Sequence, residues 1–119
     1  MLVAISSKGN SMESMMDPRF GRAEYFIIAD TDTMEFEVLE NTAAVSGGGA
    51  GISASQLLID KGAKAVITGH VGPNAMSVLE AANLEIYRGL SASVRENLEK
   101  FKIGLLEKIT DNVPPLSGF

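Results

Sequence analysis

Hydrophobic and polar positions change period several times along this chain, and each change marks an element. Leu2 to Ser6 is a continuous apolar run that stops at Ser-Ser-Lys-Gly9, the pattern of a buried strand. Residues 7 to 23 hold no period and predict a long loop, a kind of segment that in compact domains usually carries function. Glu24 to Asp30 encloses Tyr-Phe-Ile-Ile-Ala, a second buried strand, and Met34-Glu-Phe36-Glu-Val38 alternates. The polar turn from Asp30 to Thr33 therefore predicts an antiparallel hairpin whose glutamates face an exposed edge. A Gly-rich loop from Asn41 to Gly51 opens a helix with Ala50, Ala54, Leu57 and Leu58 on one face, ended by Lys61-Gly62. Ala65 to Thr68 is a short β-branched strand, followed by the turn Gly69-His-Val-Gly72 and a helix with Pro73 at its first position. Ala75, Val78, Leu79 and Ala82 recur along that helix at helical spacing. Glu85 to Arg88 is a fifth strand, and Ser93-Val-Arg-Glu96 is a capping box for a third helix carrying Val94, Leu98, Phe101 and Leu105 on one face. Residues 1–111 are expected to form one α/β domain, with 112–119 as a flexible C-terminal tail.

The order βββαβαβα fixes where the loops go. Hairpin pairing reverses strand two, and right-handed crossovers send strands four and five in the direction of strand one. The prediction is a mixed five-stranded sheet in the order 3-2-1-4-5, with strand two antiparallel to the rest. Its topological switch point lies between strands one and four, where loops 7–23, 42–51, 69–74 and 89–93 meet on one edge.

Composition narrows the chemistry. The 119 residues suit one core, and the short apolar start is neither a secretory h-region nor a membrane span, so the expected location is cytoplasmic. Cysteine is absent, which excludes disulfides, thiol catalysis, and Cys ligation of zinc or of an iron-sulfur cluster. A net charge of −5 argues against general nucleic-acid binding. Yet all four arginines, Arg19, Arg22, Arg88 and Arg95, fall in or beside the loops of the switch edge, which predicts a local positive rim over two Gly-rich backbone nests.

Within that edge each residue type has two readings. His70 is the single histidine, a ligand for a metal or cluster or else a cap for its own loop. One histidine cannot hold a bare transition ion; a preformed cluster that brings its own sulfides needs only one nitrogen plus Arg and backbone donors. Met12, Met15 and Met16 are soft thioethers for copper(I) or a greasy flap over the switch point, and the flap is the plainer reading. The glycines of 46–51 either donate backbone N–H groups to an anion or make a tight turn. Phosphate and nucleotide fit less well, because neither Walker spacing nor GxGxxG is present. Two-metal catalysis would need several converging carboxylates, and a Ser-His-Asp arrangement a buried Asp for the histidine; neither pattern stands out, so no enzymatic activity is expected.

Three motifs carry a family resemblance: Asp17-Pro-Arg-Phe-Gly-Arg22 before a Tyr-Phe strand, Ser46-Gly-Gly-Gly-Ala-Gly51, and Thr68-Gly-His-Val-Gly-Pro-Asn-Ala75. In this order they resemble the dinitrogenase iron-molybdenum cofactor biosynthesis family over nearly the whole chain. The resemblance implies a ribonuclease H-like fold and the non-catalytic binding or carriage of an anionic metal-sulfur cluster, iron-molybdenum cofactor-like or molybdenum-copper sulfide. A cofactor-assembly or acceptor metalloprotein would be the partner. Carried onto this chain, the implied cofactor-binding positions are Arg19, Phe20, Gly21, Arg22, Gly47, Gly48, Gly49, Gly69, His70, Gly72 and Asn74, with His70 as metal ligand. Members tied to nitrogenase often carry His before the Phe-Gly pair, where this chain has Arg19. The resemblance therefore speaks to the class of ligand before its identity, and a small-anion or phosphate-ligand module for regulation or protein interaction is the alternative.

Overall fold

A computed structural model describes residues 1–42 and 49–110. Six strands alternate with three helices: β1 (Leu2–Ser7), β2 (Tyr25–Asp30), β3 (Phe36–Glu40), α1 (Ala50–Asp60), β4 (Ala65–Thr68), α2 (Pro73–Ala81), β5 (Glu85–Arg88), α3 (Val94–Lys102) and β6 (Glu107–Ile109). They form one α/β domain around a single sheet in the order β3-β2-β1-β4-β5-β6. β1 pairs antiparallel with β2 and parallel with β4, Val3 opposite Ala65 and Ile5 opposite Ile67, so the switch point lies between these two strands as their sequence order predicts.

The sheet has six strands, not the five expected, and β2 is not alone in running against the rest, because β6 pairs antiparallel with β5. α3 is also shorter than its apolar spacing suggested. It ends at Lys102, and Gly104 takes a left-handed φ of 77° that reverses the chain. Leu106 then turns into the core while Leu105, expected on the buried helix face, is 63% exposed. The three residues of β6 are held by backbone pairing and by opposed charges, Arg88 to Glu107 at 3.3 Å and Glu85 to Lys108 at 3.5 Å. Replacing Leu105 by Ala is accordingly expected to change stability by less than about 0.5 kcal/mol, measured by urea unfolding, where a core leucine would cost several times more. At the other edge β3 starts at Phe36, later than the alternation from Met34 implied, because Met34 sits in the turn at a φ of 63°.

Each sheet face carries its own apolar layer. α1 and α2 cover one face, where Ala54, Leu58, Ala75 and Leu79 pack on Ala4, Phe26, Val66 and Ile86. α3 covers part of the other, where Val94 and Leu98 meet Val3, Ile5, Ile27 and Ile67. The rest of that second layer comes from the 7–23 segment: Met12 and Met16 are buried within it. Two of the three methionines read as a movable flap are therefore core side chains, and only Met15 is exposed. Their flexible thioethers fill a gap that α3 leaves open. The segment is pinned besides, with Met16 N–H donating to the Ala92 carbonyl at 3.0 Å and Val94 N–H to that of Ser14 at 2.8 Å.

Candidate functional site

Having filled one face of the sheet, the 7–23 segment crosses the carboxyl edge over the switch point and descends on the other face. Asp17 N–H donates to the Ser6 carbonyl at 2.9 Å, and the Ser6 hydroxyl donates to the Asp17 carbonyl at 2.6 Å while lying 2.7 Å from Thr68 Oγ1. Ser6 and Thr68 are buried hydroxyls at the ends of β1 and β4, so the crossing is fastened where the two parallel strands meet. Next, His70 N–H donates to the Pro18 carbonyl at 2.8 Å and Phe20 N–H donates to the His70 carbonyl at 3.2 Å. Phe20 ends the crossing as a buried anchor, its ring 5.3 Å from that of Phe26.

The loops predicted to meet do so among the described residues. Arg19, Phe20, Gly21 and Arg22, the start of α1 (Gly49, Ala50, Gly51) and the turn before α2 (His70, Gly72) line one cleft of about 430 Å³. Two backbone approaches make this possible. A Cβ on Gly69 would lie 2.7 to 2.8 Å from atoms of Pro18, and one on Gly21 would lie 2.9 Å from backbone atoms of Gly51. Both helices begin at the cleft on a glycine, Gly49 and Gly72, and among the described residues neither start is capped by a side chain or carries an acidic residue in its first turn. Positive dipole ends and first-turn N–H groups are therefore left for an anion. A larger hollow of about 630 Å³ lies at the opposite end of α2, beside β5 and β6. It faces a helix C-terminus, and its Glu85 and Lys108 neutralise each other, so nothing there favours an anion.

The arginines are less bare than a positive rim requires. Arg19 donates through Nε to Asp17 Oδ1 at 3.1 Å and through Nη2 to Oδ2 at 3.0 Å, a two-pronged pair. Arg88 pairs with Glu107 and Arg95 with Glu13, and neither lines the cleft. Arg19 and Arg22 remain at the site. His70 is exposed, and its imidazole makes no hydrogen bond among the described residues; its backbone does the fastening. Of the other expected positions, Gly69 lies beneath the crossing and Asn74 sits exposed on α2 outside the lining. Gly47 and Gly48, like the tail 112–119, fall outside the described residues.

The sequence did not single out Asp17, which is 1% exposed. Burial pushes its carboxyl up, but hydrogen bonds from the Arg19 side chain and backbone, with the charges of Arg19 and Lys8, outweigh this and hold it below its ordinary value. A carboxyl lowered in the folded state adds stability that is complete above the unfolded value near 3.8 and lost as pH falls through the folded one. Replacing Asp17 by Asn should therefore lower the urea midpoint at neutral pH and flatten its decline on acidification. Asn41 was missed as well: buried, it donates to the Gly21 and Ala23 carbonyls at 3.2 and 2.8 Å and so holds the backbone on either side of Arg22.

Among the described residues no group of three or more His, Cys, Asp or Glu side chains is placed to hold a metal ion, and no helix is long and apolar enough to cross a membrane. The sequence profile of the dinitrogenase iron-molybdenum cofactor family matches residues 1–104. An uncharacterised protein of Methanocaldococcus jannaschii is 33% identical over 96 residues, 78% of this chain and 81% of that protein. Among solved structures, the apo form of the orange protein from Desulfovibrio gigas superposes with a TM-score of 0.88 at 34% identity, covering 91% of this chain and 92% of its own. A Thermotoga protein assigned to NifB superposes at 0.82 with 41% identity, covering 95% and 97%.

Proposed function

The chain belongs to the dinitrogenase iron-molybdenum cofactor family, and from that premise we propose that its cleft binds an anionic metal-sulfur cluster as cargo, without turnover, for assembly or delivery to an acceptor metalloprotein. The observation that carries this reading is the convergence of two helix starts without side-chain caps on one cleft that also holds Arg19, Arg22 and His70. Such a donor set suits a preassembled cluster. Its sulfides accept from backbone N–H and guanidinium groups, and the exposed His70 imidazole supplies one nitrogen to a metal. A bare ion would need more ligands than this cleft offers. The family's description supports a ligand of this class, and the likeness to a protein solved in its apo form supports a chain that takes up a ligand.

Anaerobic titration with tetrathiomolybdate plus copper(I), and separately with isolated iron-molybdenum cofactor, should give a stoichiometric charge-transfer band for at least one of them. His70→Ala should then weaken binding by about tenfold or more while leaving the urea midpoint nearly unchanged, since an exposed loop side chain contributes little to the core. No retained metal under either condition would move the assignment to a small-anion or protein-interaction module.

A further inference from the structure

One buried charge beside the cleft has no part in the donor set described above. Asp17 is almost completely buried, yet all three hydrogen bonds of its carboxylate go to one residue. Oδ1 accepts from Arg19 N–H at 2.9 Å and from Nε at 3.1 Å, and Oδ2 accepts from Nη2 at 3.0 Å. The Arg19 side chain is 67% exposed and lines the cleft. The Asp17 backbone is fixed, its N–H and carbonyl both held by Ser6, and close packing around the buried side chain leaves the carboxylate little room to turn.

We propose that Asp17 is a positioning residue, a fixed carboxylate that clamps Arg19 in one orientation so that the cleft receives a pre-aimed donor in place of a mobile cation. A guanidinium has five N–H groups; the carboxylate takes two, and three remain for a ligand. The pair is neutral as a unit, so Arg19 contributes direction more than net charge. This narrows the expectation drawn from the arginine rim: what Arg19 adds to binding should be weakly screened by salt. The inference rests on the cluster reading for its ligand, but the clamp can be tested without one.

In the apo-protein the Arg19 Nε–H should show an NMR order parameter above about 0.8, falling below about 0.6 in Asp17→Asn. Equal mobility in the two proteins would overturn the clamp whatever the cleft binds. If Asp17→Asn does not fold, Arg19→Lys serves, since it keeps Asp17 and the positive charge but cannot form the fork. Tetrathiomolybdate titrations over a range of salt then read the consequence. Asp17→Asn and Arg19→Lys should each weaken binding by about tenfold, although Asp17→Asn makes the site more positive. Asp17→Asn combined with Arg19→Gln should be no weaker than Arg19→Gln alone. Tighter binding by Asp17→Asn with a steeper salt dependence, or unchanged binding by Arg19→Lys, would mean that Asp17 only neutralises charge and would reject the proposal. If the wild-type cleft takes no tetrathiomolybdate, the mobility comparison decides the clamp, and the cluster reading is decided separately by the two titrations given above.

Discussion

Phe20→Ala is expected to cost about 3–5 kcal/mol of folding stability, a large part of what a domain of this size has. Phe20 is 2% exposed, stands at 5.3 Å from Phe26, and belongs to the apolar layer that α1 and α2 form with the sheet. Removing the ring leaves a cavity in that layer. It also frees one end of the crossing segment, so Arg19 and Arg22 lose their place at the cleft together. The resemblance implies Phe20 as a cofactor-binding position; it lines the cleft and, being buried, also anchors the segment there. Phe20→Leu, which keeps most of the volume, should recover at least half of the loss in urea unfolding and most of any ligand binding. If Phe20→Ala unfolded within about 1 kcal/mol of the wild type, the anchor role would be wrong.

The parts legible in the sequence were those written in period. β1, β2 and β4 announced themselves as short apolar or β-branched runs between turn residues, and the right-handed crossover rule then placed the switch point and the meeting of the loops. What escaped was short or non-local. β6 is three residues, two of them charged, and the adjacent Leu105-Leu106 reads equally well as the end of a helix; only the left-handed turn at Gly104 tells the two apart. Met12 and Met16 looked like loop residues because their segment has no period, and their burial comes from the vacancy beside α3, which depends on the whole sheet.

The site divides along the same line. Glycines before helices and a histidine among them are local signals, and Gly49, His70 and Gly72 do line the cleft together. Charges were harder. Counting arginines near one edge could not tell which were already paired, because Glu13 and Glu107 reach Arg95 and Arg88 from distant parts of the chain. Asp17 had a local signal that was passed over: an Asp two residues before an Arg, across a proline, can accept from that residue's backbone and side chain at once, as it does here.

Gly69→Ala is expected to remove the cleft and lower stability by about 1–3 kcal/mol, the range for overpacking a site that cannot yield. The added methyl would fall 2.7 Å from Pro18 Cβ and 2.8 Å from both Pro18 Cα and the Pro18 carbonyl oxygen. Two of these are backbone atoms of a segment held at Asp17 by Ser6 and at Phe20 by the core, so the crossing has nowhere to go without breaking a tie. The ties at hand are the hydrogen bonds joining His70 to Pro18 and to Phe20, and losing them separates His70 from Arg19. Gly72→Ala is the control. It lines the same cleft at an ordinary φ of −68°, and no atom of the described residues lies within 4 Å of its added Cβ. It should cost less than about 1 kcal/mol, the difference between Gly and Ala at a helix start. Urea unfolding and anaerobic titration of both variants separate the two positions. If Gly69→Ala kept wild-type stability and binding while Gly72→Ala lost them, the crossing of Pro18 over Gly69 would not be what assembles the site.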